Sequence, residues 1–460
     1  MLDRIECDEI GEMTIPLNAY YGITSLRSKE NFSITKVKVH KQMIRSLAIV
    51  KKSCCLANFD ANYLSQEVTH AICRACDEVM NGRFNNQFIT DAIQGGAGLA
   101  MNMNMNEVVA NRANEIMGGK LGEYNFVHPL REVNLFQSTN DVIPTSAKYT
   151  ILTMAKPLIT ELKKLQRCFL EKASQNKGVI KMGRTHLQDS LPISIEQQFK
   201  AISAALLRDI DRLNSSLSEM LVVNLGTGAV GVDQYSSDAY VKSIINRLNE
   251  STGHEFKRPD NILDNTRNLD SFVNVSHALK LMAINLSKTA SDIRLMASGP
   301  TSGLNEIILP QVESCSGLLT GKNNPTIAEV VNQVCFQVIG KDATITMAAE
   351  HGQLEFNPFG PIIFPNIFDC LEYLTRALKV FREHTVEGMI INKQYCGDVI
   401  LNSSGAAVAL LPHIGINKTI DVIAKARETG QSVKDVVLDF GYLTEKKVDN
   451  ILTLDKIRKL

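Results

Sequence analysis

Three stretches of the chain repeat apolar residues at helical spacing over about 20 residues each, and this feature limits the possible folds more than any other. Within each stretch the intervals are three, four or seven residues. The stripes comprise Ile151, Met154, Leu158, Leu162, Leu165 and Phe169; Phe199, Ile202, Leu206, Leu213, Leu217 and Met220; and Phe272, Val275, Leu279, Met282, Leu286, Ile293 and Met296. Such long stripes are typical of helices that pack side by side at shallow angles. The sequence therefore predicts a mainly α fold built on a long helical bundle.

Two further helical patterns, over 327–352 and 366–386, bring the long helices to about five. Shorter periods precede and follow this central part. With 460 residues the chain has room for about three domains. We therefore predict an N-terminal domain over 1–140, a central helical bundle domain over 141–393 and a small C-terminal helical domain over 394–460.

Composition excludes several classes of protein. The chain has 49 basic and 49 acidic residues, so charge gives no reason to expect a nucleic acid or a membrane surface as partner. It has no apolar run of about 18 residues, so we predict no membrane span. Ten cysteines lie mostly within apolar patterns, and the first residues resemble no targeting peptide. This usage predicts reduced thiols and a cytoplasmic location.

Two short motifs suggest cofactor or metal binding, and neither has the required context. Cys73 and Cys76 form a CxxC pair without a second pair or matching histidines, so no metal site is predicted. Residues 226–231 read GTGAVG, a literal dinucleotide fingerprint. They follow a long helical stripe rather than a strand, and no apolar helix opens after them. We therefore expect no dinucleotide cofactor.

Four polar segments interrupt the helical patterns, over 96–106, 137–145, 183–189 and 315–325. The last reads CSGLLTGKNNP, and its glycines and Pro325 favour an irregular loop. It supplies Ser316, Lys322 and Asn324, and Glu329 follows in the first turn of the next helix. A serine oxyanion could act as base, a lysine could anchor a carboxylate, and hydroxyl and amide donors could hold an enediolate. This set suits proton removal next to a carboxylate and expulsion of a neighbouring group.

The other polar segments supply complementary groups. Gln137–Asp141 places hydroxyls and amides before a long helix, where free backbone N–H groups can bind an anion. A helix cap alone would explain that turn equally well. In 183–189, Thr185 and the titratable His186 lie together, and Glu329 could orient such a histidine.

Seven motifs in order along the chain resemble the aspartase/fumarase superfamily, and its aspartases most closely. They are YYGITSLRSKENF (20–32), GGAGLAMNMNMNEVVANRA (95–113), QSTNDVIPT (137–145), GRTHLQDSLP (183–192), SGPTSGLNEIILP (298–310), KNNPTIAEVVNQVCFQVIG (322–340) and GQSVKDVVLDFGYLTE (430–445). The resemblance implies a homotetramer with a shared core of about 20 helices. It also implies composite active sites drawn from three chains, a small amino-acid or dicarboxylate substrate and no cofactor.

Site roles follow from the same resemblance, residue by residue. Ser316 matches the catalytic base, and Lys322 and Asn324 match the anchors of the substrate's α-carboxylate. Thr185 and His186 match a substrate-contact pair, and Glu329 matches the carboxylate partner of that histidine. The segment that contacts the β-carboxylate and amino group is matched by Ser138, Thr139 and Asn140.

The chain departs from the family pattern at the end of the site that would bind the β-carboxylate. In the loop pattern GSSxMPxKxNP, Cys315 replaces the glycine, Gly317 the second serine and Thr320 the proline. In the GAGTS motif, Leu99 replaces the threonine expected to touch the β-carboxylate and amino group. Two hydroxyls are thus lost, and one lost oxyanion donor typically costs about 2.7–4 kcal/mol of transition-state stabilisation.

Four functions remain open from the sequence. The first is an ammonia-lyase that converts L-aspartate to fumarate. The second is a sister carbon–nitrogen lyase, ergothionase-like, whose substrate carries a less polar β-substituent; Leu99 and Gly317 favour it. A fumarate hydratase is disfavoured by the aspartase-like segment 329–340. A structural relative of the crystallin kind is disfavoured because Ser316, Lys322, His186 and Glu329 are all retained.

Overall fold

A computed structural model of the single chain describes residues 3–232, 236–314 and 321–457. The fold is mainly α, as predicted. The helices are α1 (Ile23–Asn31), α2 (Lys41–Asp60), α3 (Gln66–Met80), α4 (Leu99–Ile116), α5 (Thr139–Gln175), α6 (Ile195–Ser218), α7 (Asp238–Thr252), α8 (Ile262–Arg267), α9 (Asp270–Met296), α10 (Thr326–Glu350), α11 (Gly360–Phe381), α12 (Lys393–Leu401), α13 (Leu411–Ile414), α14 (Ile416–Thr429), α15 (Val433–Asp439), α16 (Glu445–Ile451) and α17 (Leu454–Ile457).

Strands within the described residues form three antiparallel pairs. They are β1 (Asp3–Cys7) with β2 (Glu12–Pro16), β3 (Ile180–Thr185) with β4 (Gln188–Ser194), and β5 (Ile307–Ile308) with β6 (Ile390–Ile391). The second pair is a hairpin whose tip carries two of the predicted site residues.

The five long helices predicted from the apolar patterns are α5, α6, α9, α10 and α11. Their stripes are the buried faces. All seven stripe residues of α9 are buried, as are Ile151, Leu158, Leu162, Leu165 and Phe169 of α5. Burial of one apolar face holds each helix in place, because helical propensity alone is too weak to do so.

The chain forms two compact units. One contains the described residues within 1–158, 211–281 and 337–373, and the other those within 159–210, 282–336 and 374–460. The three-domain division at 140 and 393 stays a prediction. In the second unit, Ile180 and Met182 of β3 share a core with the small C-terminal helices, among them Val436, Val437 and Val448. This core fixes the base of the β3–β4 hairpin.

In the first unit, α4 is unusual because it buries a row of polar side chains. Asn102, Asn104, Asn106, Asn111 and Asn114 are each at most 1% exposed. Buried amides must find hydrogen-bond partners, and these bond to the loops around α4. The helix therefore organises polar segments rather than a purely apolar core.

No helix in the described parts of the chain is long and apolar enough to cross a lipid bilayer. The GTGAVG segment begins five residues after the short 3₁₀ turn Glu219–Leu221, which follows α6, and the next helix, α7, begins only at Asp238. This context differs from the strand–turn–helix of a dinucleotide fingerprint.

Candidate active site

Thr185 and His186 lie at the tip of the β3–β4 hairpin, where both side chains are exposed. Thr185 pairs with Gln188, so His186 and Leu187 form the two-residue turn. Both have positive φ, 54° and 61°. This is the conformation of a type I′ turn, which usually takes Asn-Gly because other residues are strained there. The hairpin thus holds a titratable imidazole outward in a strained turn.

A buried carboxylate ties the base of this hairpin together. Glu306 is 2% exposed and pairs with two cations of β3, Lys181 at 2.6 Å and Arg184. Between those cations, a Cβ at Gly183 would lie 2.3 Å from the backbone oxygen of Leu191, so only glycine fits. Removing one partner of such a buried cluster leaves uncompensated charge. Glu306 therefore fixes the strand that ends in Thr185.

Lys322, Asn324 and Glu329 lie together around the N-terminus of α10. Lys322 and Asn324 are exposed, and the backbone oxygen of Asn324 accepts a 2.9 Å hydrogen bond from the N–H of Thr326. Glu329, in the first helical turn, is half-buried and lies 3.3 Å from the Arg294 guanidinium of α9. Arg294 is thus the carboxylate's partner within the second unit. The expected pairing of Glu329 with His186 stays a prediction.

In the first unit, Ser138, Thr139 and Asn140 form the half-buried start of α5. The Ser138 hydroxyl accepts a 3.2 Å hydrogen bond from the N–H of Asn140, and Thr139 Oγ1 accepts one of 3.1 Å from Asn102 Nδ2. Asn140 Nδ2 donates to the carbonyl oxygen of Ala229 at 2.7 Å. Three polar side chains are therefore fixed at a helix N-terminus, which favours negative charge.

Asp141 stabilises the start of α5 through backbone hydrogen bonds. Its carboxylate is fully buried and accepts backbone hydrogen bonds from Ser138 and Gly226. Burial raises its pKa to about 7, while those hydrogen bonds and the charge of Lys51 act in the opposite direction. The GTGAVG segment therefore bonds to the start of α5 at two points, Asp141 and Asn140.

Lys51 of α2 contacts the residues that immediately precede Ser138. Its ammonium group donates to Asn134 Oδ1 and Gln137 Oε1, both at 2.8 Å. Burial lowers its pKa to about 8. Asn134 Nδ2 in turn donates to the backbone oxygen of Gln137 at 3.1 Å, immediately before Ser138.

Leu99 is the first residue of α4, and its side chain is 49% exposed. It follows Gly98, whose φ is 96°. Asn102, one turn further along α4, is the donor to Thr139, so Leu99 lies at the end of α4 that contacts the α5 start. An apolar side chain therefore stands at the end of α4 where the family pattern has a hydroxyl.

The structure thus brings the predicted residues into three local groups: the hairpin tip, the α10 start and the α5 start with Leu99. Ser316 and Gly317 lie outside the described residues, as do Cys315 and Thr320. Among the described residues, no cluster of three or more His, Cys, Asp or Glu is arranged to hold a metal ion.

Sequence reasoning missed four residues that position these groups: Lys51, Asp141, Arg294 and Glu306. Asp141 carried a usable signal, because an acid in the first turn of a helix is a common cap. Lys51 carried none, since a lysine within an apolar helical pattern usually reaches solvent.

Comparison with known proteins identifies the family. Residues 11–340 match the family described as 'Lyase'. Residues 407–458 match the family described as 'Fumarase C C-terminus'. The chain belongs to this lyase family. Among curated members, aspartate ammonia-lyase of Bacillus subtilis is 42% identical over 98% of this chain and 94% of its own length. The aspartate ammonia-lyase of Escherichia coli strain K12 is 39% identical over 99% of this chain and 96% of its own length.

Two solved structures share the fold over 98–100% of this chain. A fumarate lyase:delta crystallin from Brucella melitensis, bound to cobalt, is 40% identical, with a TM-score of 0.96 over 100% of this chain and 99% of that one. A class II fumarase from Schistosoma mansoni is 30% identical, with a TM-score of 0.93 over 98% of each chain. The resemblance seen in the seven sequence motifs is thereby confirmed.

Proposed function

We propose that this lyase is an aspartate ammonia-lyase, which reversibly eliminates ammonia from L-aspartate to give fumarate. The observation that carries the proposal is the 39–42% identity to aspartate ammonia-lyases over nearly the full length of both chains. The matched lengths cover 97–99% of this chain.

In the proposed mechanism, Ser316 removes a proton from the β-carbon, and the electron pair passes into the β-carboxylate as an enediolate. Collapse of the enediolate forms the carbon–carbon double bond and expels the amine from the α-carbon. Lys322 and Asn324 hold the α-carboxylate. The exposed position of both residues beside the α10 N-terminus supports this role.

The β-carboxylate and the amino group are assigned to Ser138, Thr139 and Asn140. These side chains supply hydroxyl and amide groups at the start of α5, where the helix dipole stabilises negative charge. Their fixed hydrogen bonds to Asn102 and Ala229 support a preorganised site. Thr185 contacts the substrate, and His186, paired with Glu329, exchanges the proton of the leaving amine.

We further propose that the protein works as a homotetramer with composite sites. An apolar stripe supports the assembly: Phe336, Gly340, Ala343 and Met347 recur at helical spacing on α10 and are all exposed. Phe336 is 62% exposed and Met347 64%, values unusual for residues of this type unless another surface covers them. The described cysteines are all free thiols, which supports a reducing, cytoplasmic location.

A sister carbon–nitrogen lyase is the second candidate, and Leu99 is the observation that favours it. The half-exposed leucine offers apolar contact at the end of α4 where recognition of a β-carboxylate would use a hydroxyl. Such an enzyme would keep the α-carboxylate anchors and act on an amino acid with a less polar β-substituent.

One assay separates the two candidates. Purified protein is mixed with L-aspartate, and fumarate is followed by its ultraviolet absorbance while ammonium is measured in parallel. Equal amounts of both products support the proposal, and fumarate with ammonium should give the reverse reaction. Turnover of L-malate would instead indicate a hydratase. A folded tetramer that is inert to L-aspartate but releases ammonium from a β-substituted amino acid would replace the first candidate with the second.

A further inference from the structure

Lys51 is a buried cation that the proposed mechanism does not use. It lies in the middle of α2, and its residue surface is 0% exposed. Burying an ammonium group is costly unless its N–H groups are satisfied and its charge is balanced. What surrounds Lys51 therefore shows which part of the protein depends on it.

Its hydrogen-bond partners all belong to the segment that leads into the candidate site. Asn134 Oδ1 accepts from Lys51 at 2.8 Å and from Asn102 and Asn106 of α4 at 3.2 Å each. Asn134 also donates to the backbone of Gln137, whose side-chain oxygen accepts the second hydrogen bond from Lys51. The ammonium group of Lys51 thus fixes the side chain of Gln137 directly. Through Asn134 it also fixes the backbone of Gln137, immediately before Ser138.

A second buried ionisable group, Asp141, lies on the same segment. Asp141 is fully buried, its negative charge interacts with Lys51, and its carboxylate holds the N–H groups of Ser138 and Gly226. The three residues Ser138–Asn140 are therefore flanked by the buried ammonium group of Lys51, which acts through Gln137, and by the buried carboxyl group of Asp141. Neither group needs to touch the substrate to set where these side chains point.

We propose that Lys51 is a positioning residue for the lyase reaction, which sets the Ser138–Asn140 segment through Asn134 and Gln137. The expected effect on kcat/KM rests on the proposed function, because it assumes that this segment binds the substrate. The expected effect on the order of the segment does not depend on that function.

Lys148 provides a matched control. It is also buried, in α5 of the same unit, but its ammonium group donates to the carbonyl oxygen of Val222 at 2.6 Å. Lys51→Met and Lys148→Met each remove one buried ammonium group, so any general effect of that change on stability is common to both variants. Only the first removes donors from Asn134 and Gln137.

The kinetic test compares the two variants in the assembled enzyme. Lys51→Met should lower kcat/KM for L-aspartate about 100-fold, the scale of a misplacement of about 1 Å in a binding group. Lys148→Met should change it less than about threefold. In a double-mutant cycle, Gln137→Met should largely absorb the effect of Lys51→Met. Normal kcat/KM in Lys51→Met, or effects that simply multiply with Gln137→Met, would overturn the proposal.

Hydrogen exchange gives a test that needs no activity. Peptides covering 134–141 should exchange at least about tenfold faster in Lys51→Met than in Lys148→Met. Equal exchange in the two variants overturns the proposal, even if the wild type proves inert to L-aspartate and the proposed function fails. Should Lys51→Met not fold, Lys51→Gln takes its place. It keeps an N–H donor, so exchange and kcat/KM should fall between those of Lys148→Met and the values expected for Lys51→Met; values equal to Lys148→Met overturn the proposal.

Discussion

The side-chain amide of Asn140 donates to the backbone oxygen of Ala229, joining two segments that lie 89 positions apart in the sequence. The contact turns Nδ2 of Asn140 toward the GTGAVG segment and leaves Oδ1 as the acceptor of this side chain. An acceptor is the group that a protonated substrate amine requires. The orientation therefore agrees with the role assigned to Asn140.

The serine assigned as base can be tested directly. Ser316→Ala should lower kcat about 100- to 10,000-fold, the contribution of a positioned base, while the oligomeric state stays that of the wild type. Initial rates with L-aspartate and the mass of the assembly in solution provide the measurement. Ser251→Ala, on the exposed surface of α7, is the control and should behave as wild type. Near-normal turnover in Ser316→Ala would rule out this serine as the base.

Hydroxyls restored at the end of the site that we propose to bind the β-carboxylate should raise aspartate turnover. Leu99→Thr combined with Gly317→Ser reintroduces two donors, each worth up to about 100- to 1,000-fold in kcat where no other donor serves. Steady-state kinetics with L-aspartate give the readout. Leu99→Val with Gly317→Ala is the control, because it copies the shapes without the hydroxyls. An equal response of the two pairs would mean that backbone N–H groups already fill this role.

Glu306 should be essential for the stability of the hairpin. Glu306→Gln leaves Lys181 and Arg184 without their buried counter-charge, and breaking such a cluster costs about 3–5 kcal/mol of unfolding free energy. Urea unfolding followed by circular dichroism measures the loss. Glu445→Gln, which removes the exposed ion pair with Lys434, should cost less than about 1 kcal/mol. Similar losses in both variants would contradict the importance of the buried cluster.

Lys148 should make stability depend on pH. Burial lowers the pKa of its ammonium group to about 8, against about 10.5 in the unfolded chain. Between those values the unfolded chain binds more protons, so the unfolding free energy gained from this group rises with pH by at most about 1.4 kcal/mol per unit.

The measurement is the difference in unfolding free energy between wild type and Lys148→Met, taken from about pH 7.5 to 9.5. This difference should shift in favour of the wild type as pH rises. Lys163→Met, at an exposed position of the same helix, should show no such shift. A constant difference for Lys148→Met would mean that this ammonium group titrates as it does in the unfolded chain.

The long helices could be predicted because their information is local. Each apolar stripe records which face of a helix is buried, as with Leu158 and Leu162 of α5. The sequence gives no comparable signal for the β3–β4 hairpin. Its two-residue turn is occupied by His186 and Leu187, whereas turns of this type usually have the sequence Asn-Gly.

The candidate site was predictable only in its side chains. Ser138, Thr139 and Asn140 stood out as polar residues before a helix. The residues that hold these side chains in place could not be predicted. Lys51 and Ala229 come from distant parts of the sequence, and no local pattern encodes their contacts. The identity of Arg294 as the partner of Glu329 likewise depends on how α9 packs against α10.

The hairpin turn has a consequence for anyone who engineers this enzyme. Residues with side chains at positive φ cost about 1–2 kcal/mol each, and His186 and Leu187 both adopt it. A library selected for heat resistance alone should therefore enrich glycine or asparagine at position 187, where the strain can be relieved without removing the imidazole. Selection for turnover should retain His186 and tolerate the same change at position 187, so the strain at His186 should persist in an active enzyme.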